Sequence, residues 1–314
     1  MSNDKMSMPL LDAIEPDLAQ HLVTRREAVR KGAFVSAGTA AALALGSVPV
    51  ALAAISREAG AQTTTVVDVL NFALALEIFE NEFYKAVLGT STSAAQNAAF
   101  AAVRAQVPAA ALPAIQQIQK HEASHVAFLQ SQGATNVFNL SATSFDFTGA
   151  RGAGNGPFLR ATTELAFLLL VAQAAEDTGV RAYKGQAPNL QSSPVALEAA
   201  LRIHSVEARH ASKIRRLRRA SGATSVKYSG TVSGTGAAAA GAGNVASPPT
   251  AAVAALDLIY ANEAVATQGM VTLASLPNLP AGIDSNAASE AFDEPLSRSA
   301  VVAIVQGFFI PTIS

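Results

Sequence analysis

The stretch Ile115-Gln116-Gln117-Ile118-Gln119-Lys120-His121-Glu122-Ala123-Ser124-His125-Val126-Ala127-Phe128-Leu129 decides the fold. Ile115, Ile118, Glu122, His125 and Leu129 recur at steps of three and four, so they share one stripe of an α-helix. The helix is expected from about Leu112 to Gln132, with Pro113 tolerated in its first turn and Gly133 stopping it. Three residues are close to one turn, so Glu122 and His125 present their side chains to one point. That point lies on the apolar face. An ionised carboxylate there is costly unless it is paired, so the placement calls for a counter-charge.

The same logic extends in both directions. From about Thr64 to Leu88, Leu70, Ala73, Glu77, Glu80, Tyr84 and Leu88 keep helical steps, and Gly89-Thr90-Ser91 ends the run. Residues 93–106 read as a short Ala-rich helix. A long, Gly-rich connection without period follows from Ala134 to Gly156. Pro157 is expected to open a third helix reaching Lys184, with Leu165, Leu169, Ala172, Glu176, Gly179 and Tyr183 aligned. After a short break from Gly185 to Pro194, a fourth helix runs to Ala220 with Leu197, Ala200, Glu207, His210, Ile214 and Leu217 on one stripe. Its basic end (Lys213, Arg215, Arg216, Arg218, Arg219) complements the negative C-terminus of a helix. Short connections within each half and a long one between the halves predict two helical hairpins joined by a crossover. The expected class is therefore all-α, a four-helix bundle over residues 62–228.

Each helix contributes chemistry. The order Glu-x6-Tyr (Glu77/Tyr84, Glu176/Tyr183), then Glu-x-x-His (Glu122/His125, Glu207/His210), occurs twice in the same sense. Four carboxylates and two imidazoles would meet at a shared axis. Four interior carboxylates repel one another, and two divalent cations cancel them. Oxygen and imidazole donors without thiolate suit iron or manganese. One Glu from each of two helices plus Glu-x-x-His from each of the other two is the donor pattern of two-metal carboxylate bundles.

On these residues the chain resembles the ferritin-like superfamily. Within it, Leu70-Asn-Phe-Ala-Leu-Ala-Leu-Glu77-Ile-Phe-Glu80-Asn-Glu-Phe-Tyr84, Ala175-Glu176-Asp-Thr-Gly-Val-Arg-Ala-Tyr183 and Glu290-Ala-Phe-Asp-Glu-Pro-Leu296 resemble the branch often called desiccation-related or ferritin-like-domain proteins. The resemblance implies that Glu77 and Glu176 are single-carboxylate ligands and that Glu122, His125, Glu207 and His210 complete the set. It makes Tyr84 and Tyr183 catalytic-site hydrogen-bond partners of the carboxylates. Glu80, one turn after Glu77, is either a seventh ligand, as in peroxide-reactive rubrerythrin-type sites, or a carboxylate beside the site. Gly179 holds the matching place in the second half. His204 reads as a partner of the ligands or a surface residue. His121, about a hundred degrees round the helix from Glu122, is expected to face solvent. Glu263 and Glu290 read as structural.

The ends of the chain carry a different message. Thr24-Arg25-Arg26-Glu27-Ala28-Val29-Arg30-Lys31 precedes an uncharged, Ala/Gly/Val-rich run from Gly32 to Ala54, which resembles a twin-arginine export signal over residues 1–61. Ala51-Leu52-Ala53 and Ala59-Gly60-Ala61 are its candidate cleavage sites. The alternatives are an ordinary signal or an uncleaved anchor. Residues 229–250 are mostly Gly, Ala, Ser, Thr and Pro and read as a linker. A fifth helix is expected from Thr250 to about Leu276, then an irregular tail packed on the bundle over the rest of 251–314.

Composition bounds the function. The 314 residues carry a formal net charge of -1, which points to neither nucleic acid nor an anionic membrane. The chain has no cysteine, so disulfides, thiol catalysis and iron–sulfur clusters are excluded. An exported protein of this kind is held by packing, metal or homo-oligomerisation. The expectation is periplasmic or envelope chemistry on a small oxidant, peroxide or oxygen, at two iron or manganese ions. A non-enzymatic metal-stabilised stress protein and an envelope interaction module are the alternatives.

Overall fold

The computed structural model describes residues 64–223, 245, 249–263, 265, 267–268, 271–272 and 292–313. The expected export segment, Glu290 and most of the expected linker lie outside these residues. Four long helices, α1 (Val66–Leu88), α2 (Leu112–Ser131), α3 (Leu165–Gln186) and α4 (Pro194–Ala220), form the body. α1 pairs with α2 and α3 with α4; the two hairpins meet along α1–α3 and α2–α4. This is the all-α bundle that the spacing predicts.

Local chemistry sets the helix ends. Thr65 and Asp68 exchange hydrogen bonds between side chain and backbone, closing a capping box at the start of α1. Ser193 caps α4, and Pro194 follows in its first turn. The buried residues of α2 are Ile115, Ile118, Glu122, His125 and Leu129, the stripe read from the sequence. α1 and α3 are buried on most of their surface, because the crossover and the C-terminal segment cover their outer faces.

Several boundaries differ from expectation. Residues 93–106 break into two short helices, Ala94–Ala99 and Ala101–Arg104. α3 starts at Leu165 rather than Pro157. Phe158 turns inward against Phe308 and Phe167 (ring centroids 5.1 and 6.5 Å), Leu159–Thr162 makes a 3-10 turn, and Thr163 and Glu164 leave helical φ at -127° and -125°. The crossover is ordered by Asp146, whose carboxylate accepts from the backbone N–H of Thr148, Gly152 and Gly154.

The C-terminal segment is shorter in helix at first and richer later than the sequence suggests. α5 spans Thr250–Ile259 and does not continue to Leu276. The Arg181 guanidinium takes the Ile259 and Ala261 carbonyls, Tyr260 turns in toward Asp177 (2.8 Å), and Asn262 adopts φ 64°. A two-residue hairpin follows, Thr267–Gln268 against Val271–Thr272. The tail then forms a helix, α6 (Arg298–Val305), where only irregular chain was expected, and Ser297 caps it. Beyond it, Phe309 bridges to Phe145, and Ile310 N–H reaches Ser144 O at 2.9 Å. Phe79 lies within 6 Å of the Phe145, Phe147, Phe308 and Phe309 ring centroids, so tail and crossover close over α1 together. Among the described residues, no helix is long and apolar enough to cross a membrane.

The basic end of α4 does more than complement a helix terminus. Arg218 is fully buried and donates to Gln173, and Arg215 pairs with Asp177 of α3. Arg181 pairs with Glu263 (3.1 Å) and donates to Glu294 O. Glu263 is thus structural, as expected: Arg181 fastens the C-terminal segment to α3, while Arg215 and Arg218 tie α4 to α3.

Candidate metal centre

Glu77, Glu122, Glu176 and Glu207 point inward from four different helices and are at most 1% exposed. His125 and His210 reach the same space. His125 Nδ1 lies 3.0 Å from Glu77 Oε2, 3.0 Å from Glu122 Oε2 and 3.1 Å from Glu207 Oε1. His210 Nδ1 lies 2.8 Å from Glu122 Oε1, 3.3 Å from Glu176 Oε2 and 3.8 Å from Glu207 Oε2. All six sequence-predicted ligands therefore converge.

They do so as two overlapping clusters. Glu77, Glu122, His125 and Glu207 form one; Glu122, Glu176, Glu207 and His210 form the other, and within each the donor atoms lie within 4.8 Å of one another. Glu122 and Glu207, the acids of the two Glu-x-x-His motifs, belong to both. Glu122 Oε1, Glu176 Oε2, both Glu207 oxygens and His210 Nδ1 are buried without a well-directed hydrogen bond. Buried polar atoms are rarely left so. Three carboxylates and one imidazole per cluster, with orphaned atoms facing inward, fit a pair of divalent cations.

The electrostatics agree. Burial pushes the Glu77 carboxyl up to about 8, with repulsion from Glu207 adding to it. Burial likewise drives Glu80 and Glu176 well above the usual carboxylate range. Glu207 is held down at about 2: burial opposes its charge, but His125 and His210 outweigh burial. Burial also opposes charge on His125, yet Glu122, Glu207 and Glu77 push it up to about 12. His210 is raised too, against burial, by Glu122, Glu176 and Glu207. The shifts favour charged imidazoles and, Glu207 apart, protonated acids, the balance that cations would replace.

The tyrosines cross over between hairpins. Tyr84 of α1 donates to Glu176 Oε1 of α3, and Tyr183 of α3 donates to Glu77 Oε1 of α1 at 2.5 Å. Each tyrosine serves the opposite helix's carboxylate rather than the one on its own stripe. Burial keeps both phenols protonated, so each remains a donor.

Gly179 makes room for Glu80. A Cβ at that position would sit 3.2 Å from Glu80 Oε1 and 3.4 Å from Glu207 Oε2. Glu80, 3% exposed, thus lies beside Glu207 at the edge of the site and belongs to neither four-residue cluster. His204 bonds the Val180 carbonyl at 3.0 Å and serves α3 rather than the ligands. His121 is half-buried, partly open to solvent as its angle predicts, but it also reaches across to α4. Its Nδ1 meets His210 Nε2 at 2.8 Å, and the two rings stack with centroids 5.1 Å apart. The available signal was its spacing of four from His125, which puts it near that face of α2.

A family model for the ferritin-like domain matches residues 65–220, the segment that contains all six donors and both tyrosines. These residues form a ferritin-like domain. The match ends with α4, so the clamp made by α5, α6 and the tail lies outside the matched segment. Neither the curated proteins nor the solved structures contain a significant match to the chain.

Proposed function

We propose that this ferritin-like protein is exported and holds two iron or manganese ions in the bundle, where it carries out redox chemistry on peroxide or oxygen in stress protection. The observation behind the reading is the pair of overlapping clusters, each with three carboxylates and one imidazole, that share Glu122 and Glu207. When bound there, two such ions would supply the electrons for reducing a small oxidant. The chain's own residues do the rest. Glu122 and Glu207 would fix the spacing of the pair. Tyr84 and Tyr183 orient Glu176 and Glu77 and keep a proton at Oη beside the centre. Glu80 would add a further oxygen donor on the Glu207 side. The apolar side chains of α1 and α3 exclude bulk water.

Metal analysis of the native mature protein, followed by peroxide and oxygen turnover after loading with iron or manganese, tests the reading. Two ions per chain and turnover are expected. Negligible metal with unchanged thermal stability would remove the two-metal centre. Two ions without turnover would replace the enzyme by a metal-stabilised stress protein. Export is tested separately: with Arg25 and Arg26 both changed to Lys, precursor should accumulate in the cytoplasm, and unimpaired export would exclude the twin-arginine route.

A further inference from the structure

The two histidine ligands are not held alike. His210 Nε2, the ring nitrogen facing away from the carboxylates, meets His121 Nδ1 at 2.8 Å. The rings lie within 14° of parallel. The other nitrogen of His121, Nε2, lies 2.7 Å from the Gln117 side-chain amide; with the amide oxygen turned toward it, Nε2–H donates to Gln117 and Nδ1 is left as an acceptor. Gln117, His121 and His125 follow one another at steps of four along α2, so Gln117 and His121 lie on neighbouring turns before the ligand His125. His121 and Gln117 belong to α2, whereas His210 belongs to α4; the contact therefore also ties the two hairpins.

The other half has no counterpart. Position 206, which corresponds to 121 when the Glu-x-x-His motifs are aligned, is Val206. Among the described residues, His125 makes hydrogen bonds through Nδ1 only. A neutral imidazole that offers Nδ1 to a cation must carry its proton on Nε2, and an acceptor at that nitrogen fixes both tautomer and ring angle. His210 has that acceptor preformed.

We infer that His121 is a positioning residue for one ion only: it accepts the His210 Nε2 proton and thereby tightens the cluster of Glu122, Glu176, Glu207 and His210 over that of Glu77, Glu122, His125 and Glu207. The inference rests on the two-metal reading and makes the centre unequal, with two loading steps of different affinity.

Stepwise titration of the metal-free protein with Mn(II), followed by calorimetry, tests it. His121→Phe keeps a stacking ring but loses the acceptor, and the tighter step should weaken by about 10–100-fold. The looser step should change far less. His121→Gln restores an acceptor and should recover part of the loss. Equal affinities in parent and His121→Phe would overturn the inference while leaving the two-metal reading intact. Equal weakening of both steps, with a lower Tm of the metal-free protein, would make His121 merely structural. Absence of any Mn(II) or iron binding by the parent would instead sink the two-metal reading itself.

Discussion

Loading the centre with two divalent ions at pH 7 is expected to expel about four protons per chain. Two come from the imidazolium rings, since His125 is pushed up to about 12 and His210 is raised as well. Two more come from the carboxyls of Glu77, at about 8, and Glu176, which burial holds protonated. Glu207, at about 2, has no proton to lose. The combined affinity for two ions should therefore rise by about four decades per pH unit near neutrality, and less steeply once Glu77 ionises above about 8. Calorimetry in buffers of different ionisation enthalpy counts the protons directly. Release of less than about one proton would mean that the acids and rings are not the groups displaced, and the electrostatic account would fail. The metal-free protein should show the opposite pH trend. The contribution of Glu77, raised from 4.5 to about 8, is complete below 4.5 and lost through about 8. That of His125, raised from 6.5 to about 12, is complete below 6.5 and lost through about 12. That of Glu207, lowered to about 2, is present above 4.5 and lost as pH falls through about 2. Metal-free stability should thus peak in mild acid, and the gain in Tm on loading should widen as pH rises.

Other outcomes follow from single side chains. Glu122→Ala or Glu207→Ala should impair both ions, because each acid belongs to both clusters, whereas Glu77→Ala and Glu176→Ala should each weaken one; metal content per chain decides. Glu80→Ala should keep two ions but slow peroxide turnover, and unchanged turnover would make Glu80 a bystander. Arg181→Met takes a buried guanidinium from Glu263 and the Ile259, Ala261 and Glu294 carbonyls, and should cost about 3–5 kcal/mol in denaturant unfolding. Gly185→Ala would drive a Cβ into the Leu296 carbonyl oxygen and should cost about 1–3 kcal/mol, with faster proteolysis of the tail as a second readout.

The bundle was legible because α2 and α4 each have one face to water, so burial leaves a period of three and four that a reader can find. The donors were legible for the same reason: Glu and His on an apolar stripe contradict their surroundings unless something pairs with them. The C-terminal segment was not. Its course depends on Arg181, Asp177 and Gln173, side chains of α3 that hold the Ile259 carbonyl and the Tyr260 hydroxyl some eighty residues further on, and no local pattern announces such a partner. The true start of α3 was hidden similarly, since Phe158 is drawn inward by Phe308, 150 positions later. The contact of His121 with His210 has no local signature, because the partner lies on α4.

The exchange of tyrosine–carboxylate bonds between α1 and α3 has a consequence for ancestry. Two identical hairpins related by a twofold axis would make the same pair of bonds, each lending its phenol to the other's acid. The domain has the architecture expected of a duplicated and fused hairpin that once completed its centre by dimerising. Within it, Glu80 opposite Gly179 and His121 in place of Val206 mark where the halves have diverged, both on the first hairpin. An engineered first hairpin carrying its own Glu-x6-Tyr and Glu-x-x-His could in principle rebuild a symmetric centre as a homodimer, with two copies of Glu80 competing for the space that Gly179 now leaves for one.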